Sequence, residues 1–332
     1  MALRLVSFFT DHTKGKMSVK TVGYIGLGKA GASMASNLPR AGFHLVVRDA
    51  DPAREQKFAQ DNPNTVVAEA GPYGFEDCDV VVTMLPQGKV VREVVLGENG
   101  IAKGLKPGAI IVDTSSSSPF DTQRLGEDLA SLGFVLIDSP VTQAHLHDTD
   151  TGNATLMVGS NSSDAMARVL PVLQAMAKYV FHMGKLGSGH AMKTLNNYIS
   201  AASIVALSDA LITGQKFGLD PIQMIDVLNV GTGRNFSTTD SYATDALPRK
   251  YASGFQLALL IKDVGISKEL FEKIGFDTDM PDLILKYFRD AMDMLGEPAA
   301  DHTELLKNWE KRAGVELKTG EPNGSSVTAL KK

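Results

Sequence analysis

From Thr21 onward, short apolar runs alternate with stretches of helical periodicity. The runs TVGYIG, HLVVRD, DVVVTML, AIIVDTS and FVLIDSP begin at Thr21, His44, Asp79, Ala109 and Phe134 and have no regular polar face. Between them lie segments with apolar residues three and four apart, such as ASMASNLPRAG and PFDTQRLGEDLASLG. Strands that are apolar on both sides, separated by helices, predict a parallel sheet covered on both faces. Two further strand candidates, NATLMVG and KYVFHMG, flank the helical stretch SDAMARVLPVLQAM. After Gly187 the strand pattern stops and the text reads as helix until about Gly314. The predicted class is α/β: a doubly wound parallel sheet followed by an all-α domain containing one long helix. The expected divisions are a flexible extension over 1–19, a sheet domain over 20–185, a helical domain over 186–314 and a flexible tail over 315–332.

A chain of 332 residues exceeds what a single core usually supports, in keeping with two domains. Its net charge of −5, with no basic block, argues against nucleic acid as a partner. One cysteine, Cys78, excludes an intramolecular disulfide and fits a reducing compartment, so a cytoplasmic location is expected. The long helix is interrupted by Ser203, Ser208 and Asp209, and no continuous apolar run reaches the ~18–20 residues of a membrane span. No membrane partner is therefore expected. Arg4, Lys14 and Lys16 against Asp11 make the start a thin version of a mitochondrial transit peptide, with a plain extension or initiation at Met17 as the alternatives.

Chemistry enters with YIGLGKAGASMASNL, where Gly26, Gly28 and Gly31 follow a strand and open a helix. In that context the spacing reads as a dinucleotide turn, in which Gly26 permits the tight turn and Gly28 lets backbone approach a pyrophosphate. Gly31 lets the helix pack close to the strand. The intervening Leu27, Lys29 and Ala30 share the same loop. The second strand ends in VVRDAD, and Asp49 is placed to accept from the ribose hydroxyls and repel a 2′-phosphate, favouring NAD over NADP. Arg48, one residue earlier, is a cation within reach of a phosphate, or a charge that faces solvent and at most stacks on adenine. At the far end, GSGHAMKTLNN places Lys193 and Asn197 one turn apart on the long helix, on one face.

Five segments in register resemble the β-hydroxyacid dehydrogenases, the family of 3-hydroxyisobutyrate dehydrogenase and tartronate semialdehyde reductase. They are GLGKAGASMASNLPRAGF, VVTMLP, IVDTSSSSP, GKLGSGHAMKTLNN and FQLALLIKDVGIS. The resemblance implies that Lys193 is the catalytic lysine and Asn197 an amide orienting the substrate. A desolvated lysine near a helix N-terminus suits proton transfer to and from a hydroxyl. By the same resemblance Lys262 lies over cofactor and substrate, with Asp263 orienting it. Leu85, Pro86, Val90 and Ser116 meet the dinucleotide. The chain departs from the family where DSPVTQA puts Thr142, Gln143 and Ala144 in place of a serine and two glycines that hold the substrate carboxylate. Thr142 and Gln143 are the substrate contacts expected there.

His145, His147, Asp148 and Asp150 read as solvated loop residues, and no metal is expected; His190 and Cys78 read as structural. The function expected is NAD-dependent interconversion of a small 3-hydroxy acid and its semialdehyde or keto form by hydride transfer. The alternatives are an imine or ketone reductase of the same fold and a non-catalytic nucleotide-binding protein. The long apolar helix also predicts a homodimer or tetramer built through the helical domain.

Overall fold

The computed structural model describes residues 19–142 and 154–318. The chain divides between Lys193 and Thr194 into two compact units. The sequence boundary at 184–189 marks where strands end, whereas the packing boundary falls inside the first long helix. The reason is the anchoring of that helix's first turn, described below.

The first unit is built on a nine-stranded sheet. Its first six strands are β1 (Thr21–Ile25), β2 (His44–Arg48), β3 (Thr65–Val67), β4 (Val80–Thr83), β5 (Ile110–Asp113) and β6 (Val135–Asp138). They run parallel in the order β3-β2-β1-β4-β5-β6. The last three are β7 (Val141–Thr142), β8 (Thr155–Gly159) and β9 (Tyr179–Gly184). β8 runs antiparallel to β6 and to β7, with β9 parallel to β8. The sheet is thus mostly parallel, as expected, with one antiparallel entry at β8. Hydropathy carries burial but not strand direction, and β3 and β7 are too short to show a period.

The helices of this unit are α1 (Lys29–Ala35), α2 (Asn37–Arg40), α3 (Pro52–Asp61), α4 (Gly88–Leu96), α5 (Pro119–Ser131) and α6 (Ser163–Met176). Proline at the first position of α3 and α5 loses no helical hydrogen bond. Asp51 and Ser162 cap α3 and α6 through the backbone N–H of Ala53 and Ala165. The central strands feed both faces. Leu45, Val47, Val80, Val82, Ile110 and Val112 pack with Met34 and Leu38 of the α1–α2 segment and Val169 and Leu173 of α6. Val46, Val81 and Ile111 pack with Val91 and Val95 of α4 and Leu125 and Leu129 of α5. Two covered faces explain why the strands are apolar throughout.

Next in the chain comes α7 (Ser188–Phe217), which continues into the second unit with α8 (Pro221–Val230), α9 (Leu257–Lys273), α10 (Met280–Leu295) and α11 (Leu306–Ala313). A π-helical stretch, Ser237–Ala246, lies between α8 and α9. By length and composition α7 also qualifies as a membrane span, contrary to the sequence reading. Part of its apolar surface is accounted for within the unit: Ala201, Ile204, Leu207 and Leu211 belong to a core with Tyr242, Leu260, Phe288 and Trp309, while Ile199 and Phe217 stay exposed. The polar residues that interrupt it have partners there. Asp209 accepts from Trp309 Nε1 at 2.8 Å, and Ser208 bonds the Ile204 carbonyl and the Tyr242 hydroxyl. The tail was expected to fray from Val315, but Leu317 is buried and bonded. Its N–H donates to Glu310 and its carbonyl accepts from Arg249, so apolar burial fixes the segment as far as Lys318.

Candidate active site

The loop after β1 separates the roles of its three glycines by what a side chain would meet. Gly26 has φ 100° and a Cβ there would run into the Met84 carbonyl. A Cβ on Gly31 would strike the Gly26 carbonyl. Packing alone therefore demands glycine at 26 and 31. At Gly28 a Cβ would meet nothing within 4 Å. Gly28 is also the N-cap of α1, and no side chain caps that helix. The fold has no use of its own for a bare backbone at 28; an approaching phosphate does. Leu27, Lys29 and Ala30 lie in the same loop, and the residues present fit a dinucleotide.

Asp49 lies against this loop. Its Oδ2 accepts from Leu27 N at 2.6 Å, and its Oδ1 accepts from Asp51 N and from Arg54 Nη1, both at 2.9 Å. Three of roughly four acceptor positions of the carboxylate are taken, leaving room for one ribose hydroxyl rather than two. Arg48 is half-buried, and its guanidinium turns to the Gly71–Phe75 turn. Its Nη1 donates to the Gly71 carbonyl at 3.0 Å, and the guanidinium lies over the Phe75 ring at 5.3 Å. Burial pushes its pKa below the usual arginine value. Across the next strands, Leu85 N donates to Ser115 Oγ at 2.9 Å. Thr83 donates to Asp113 at 2.9 Å, which locks the ends of β4 and β5 together. Pro86 is exposed, while Val90 at the start of α4 and Ser116 are half-buried.

On α7, Lys193 is half-buried and Asn197, one turn on, is buried. In the second unit Asn197 Nδ2 donates to Asp263 Oδ2 at 2.6 Å, and Lys262 Nζ lies 3.3 Å from Asp263 Oδ1. Thr194 Oγ1 donates to the Asp263 carbonyl at 2.8 Å, and Ser267 donates to the Thr194 carbonyl at 2.9 Å. α7 and α9 are thus clasped through buried polar groups around Asp263, which places an amide and an ammonium beside one carboxylate. Thr142 closes β7 opposite Thr155, whereas Gln143, Ala144, His145, His147, Asp148 and Asp150 lie outside the described residues. Among the described residues no group of three His, Cys, Asp or Glu side chains is placed to hold a metal ion.

The sequence reading missed a buried network at the start of α7. His190 contacts Thr122, Ser115, Asp113 and Asp138, and Asp138 caps the helix by accepting from Gly187 N at 2.7 Å and His190 N at 2.8 Å. The available signal was the glycine-serine-glycine-histidine run, because Gly189 is where a Cβ would strike the Met157 carbonyl and crowd Asp138. Cys78 is wholly buried, and burial pushes its thiol up to about 12, which fits an inert core residue.

Residues 21–184 match the NAD-binding domain of 6-phosphogluconate dehydrogenase, and residues 187–309 match the NAD-binding domain of NADP-dependent 3-hydroxyisobutyrate dehydrogenase. Human mitochondrial 3-hydroxyisobutyrate dehydrogenase is 33% identical over 270 residues, 79% of each chain. This chain belongs to the β-hydroxyacid dehydrogenase family. The 2-(hydroxymethyl)glutarate dehydrogenase of Eubacterium barkeri is 29% identical over 90% of this chain and 98% of its own. A solved structure of Mycobacterium tuberculosis 3-hydroxyisobutyrate dehydrogenase with L-serine superposes with TM-score 0.77 at 25% identity, covering 88% of this chain and 99% of that one. The chain is accordingly a hydroxy-acid dehydrogenase with NAD(P)-binding domains. Its relatives include mitochondrial and bacterial enzymes.

Proposed function

We propose that the chain interconverts a 2-substituted 3-hydroxypropanoate and its semialdehyde, with NAD preferred over NADP and Lys193 moving the hydroxyl proton. The observation that carries this reading is the grouping of Asn197 and Lys262 around Asp263, one turn along α7 from Lys193. An ammonium and an amide held by one buried carboxylate suit a substrate carboxylate. 3-Hydroxyisobutyrate, 2-(hydroxymethyl)glutarate and serine, named in three relatives, share a hydroxymethyl group on the carbon that bears the carboxylate.

A nicotinamide dinucleotide held at the Gly26–Gly31 loop and Asp49 would supply the hydride chemistry at the carbinol carbon. The Lys193 amine accepts the hydroxyl proton in oxidation, and its ammonium form gives the proton back in reduction. Asp263 holds Asn197 in one orientation and keeps Lys262 beside it. Asp49 supports NAD, because a 2′-phosphate would meet its carboxylate, while Arg48 is turned onto Phe75. Gln143 is the residue proposed to contact the variable 2-substituent. Steady-state rates for a panel of 3-hydroxypropanoates, each with both cofactors, test the reading. It fails if no member turns over, or if NADP(H) is used as well as NAD(H).

The assembly we propose is a homodimer or tetramer through the helical unit. Phe217 is 86% exposed and Val230 78% exposed, while Gly214, Phe217, Leu219 and Met224 line an apolar depression at the end of α7. A monomer by light scattering at micromolar concentration would refute it. The cytoplasmic location is supported by the lone, reduced Cys78. Import of a reporter fused to residues 1–19 would refute it in favour of mitochondria.

A further inference from the structure

The proposed chemistry leaves His190 without a task, yet the first unit builds a polar cage around it. The residue sits in the first turn of α7, three before Lys193, with a wholly buried side chain. Its Nε2 lies 3.0 Å from the Ser115 carbonyl oxygen and its Nδ1 2.8 Å from Thr122 Oγ1. A carbonyl only accepts, so Nε2 carries the hydrogen and donates to it. Nδ1 then accepts from the Thr122 hydroxyl. The competing acceptor of that hydroxyl, the Ser118 carbonyl, already receives Thr122 N at 3.0 Å. One tautomer therefore satisfies both ring nitrogens. The Asp113 and Asp138 carboxylates flank the ring at 3.7 and 3.8 Å.

What His190 grips makes this more than core polarity. Ser115 donates its N–H to Asp113 at 3.0 Å, and its hydroxyl accepts from Leu85 N. The next residue is Ser116. Leu85 and Ser116 are among the residues expected to meet the dinucleotide. The backbone of His190 is held in turn by Asp138, which also holds Gly187. Side chain and main chain of one residue thus tie the helix that bears Lys193 to the loop that faces the cofactor.

We propose that His190 is a positioning residue: it locks the first turn of α7 onto the Asp113–Ser116 segment and so fixes the Lys193 amine relative to the nicotinamide. The proposal rests on the reading of Lys193 as the proton-transfer group. A displacement of about 1 Å in such a group can cost on the order of a hundredfold in rate without touching affinity. A histidine of packing value only would affect stability and leave turnover per folded molecule unchanged.

The test compares His190→Leu, His190→Gln, Thr122→Val and Lys193→Ala. The readouts are kcat, KM for NAD, NADH affinity by fluorescence, thermal midpoint, and the primary isotope effect with deuterated alcohol. His190→Leu is expected to lose about ten- to a hundredfold in kcat, with NADH affinity unchanged and a larger isotope effect. His190→Gln keeps a donor for the Ser115 carbonyl and should recover most of that loss. Thr122→Val keeps shape but removes the Nδ1 partner, and should lower kcat per folded molecule beyond any loss of stability. It decides the matter if His190→Leu does not fold. Normal kcat in Thr122→Val and in folded His190→Leu, with Lys193→Ala inactive, overturns the positioning role alone. Normal turnover in Lys193→Ala overturns the function reading on which it rests.

Discussion

Two glycine-rich turns lead from strand to helix in the first unit, and they solve opposite problems. After β1, Gly26 and Gly31 are spoken for by neighbouring carbonyls, while Gly28 faces open space and the helix has no side-chain cap. After β9, Gly187 and Gly189 are both hemmed in, by Pro119 and Gln123 and by Met157 and Asp138, and Asp138 occupies the helix start. In sequence both are closely spaced glycines ahead of a helix. In space the first leaves backbone N–H groups to an arriving anion, and the second fills the same kind of position with a resident carboxylate. The glycine pattern alone marks close backbone approach; what approaches must be read from the surrounding atoms.

The closed turn matters to function through what it carries. Lys193→Ala should therefore show the largest effect, a loss on the order of 10²–10⁴ in kcat with cofactor affinity and thermal midpoint close to wild type. Near-normal turnover would reduce the closed turn to architecture. The next test exchanges the fates of the two turns. Gly28→Ala should fold normally but weaken NAD(H) binding by about tenfold, ~1.4 kcal/mol, since its methyl enters only ligand space. Gly189→Ala should destabilise the protein by about 1–3 kcal/mol through overpacking against Met157 and Asp138. Calorimetry and fluorescence titration of both variants would show the pattern; a stable Gly189→Ala, or a Gly28→Ala that binds normally, breaks the comparison.

A third test concerns the carboxylate of the open turn. Asp49→Ser removes the acceptor that Leu27 N and Arg54 share, at a cost of about 1–3 kcal/mol. With Arg54 released beside the loop, the kcat/KM ratio of NAD to NADP should fall by about tenfold or more. An unchanged ratio would mean that Asp49 serves the loop and not the ribose.

Most of the sheet was legible because burial on both faces leaves apolar runs such as Val80–Thr83 and Ile110–Asp113 with nothing to imitate them. β3 was not, since it has three residues at the sheet edge and Val66 is 45% exposed. The antiparallel entry of β8 was not, because a strand reads the same in either direction. The π-helical stretch Ser237–Ala246 is polar and lacks the 3.6-residue period, so the text says only that it is not strand. At the site, spacing was enough to single out Lys193 and Asn197. Their supports were hidden, since Asp263, Asp138 and Thr122 come from segments 66, 52 and 68 residues away from the groups they hold. The orientation of Arg48 was also hidden, because only the Gly71–Phe75 turn shows where its guanidinium goes.

The smallest expected effect separates the two turns by pH. Asp138 is wholly buried, and desolvation raises its pKa above the ordinary aspartate value, although the N–H groups of Gly187 and His190 that it accepts from oppose the rise. A carboxyl with a raised folded pKa binds its proton more tightly folded than unfolded. Its contribution to stability is therefore full below the unfolded value near 3.9 and is lost as pH rises through the folded one. One such group changes stability by at most about 1.4 kcal/mol per pH unit within that window. Other acids titrate in the same range, so the quantity to follow is the stability of wild type minus that of Asp138→Asn, by denaturant titration from pH 4 upward. That difference should fall with rising pH and then level off. A flat Asp138 difference would mean that the helix start of α7 holds its charge as easily as a solvated one, and the contrast between an open and a filled turn would lose its electrostatic half.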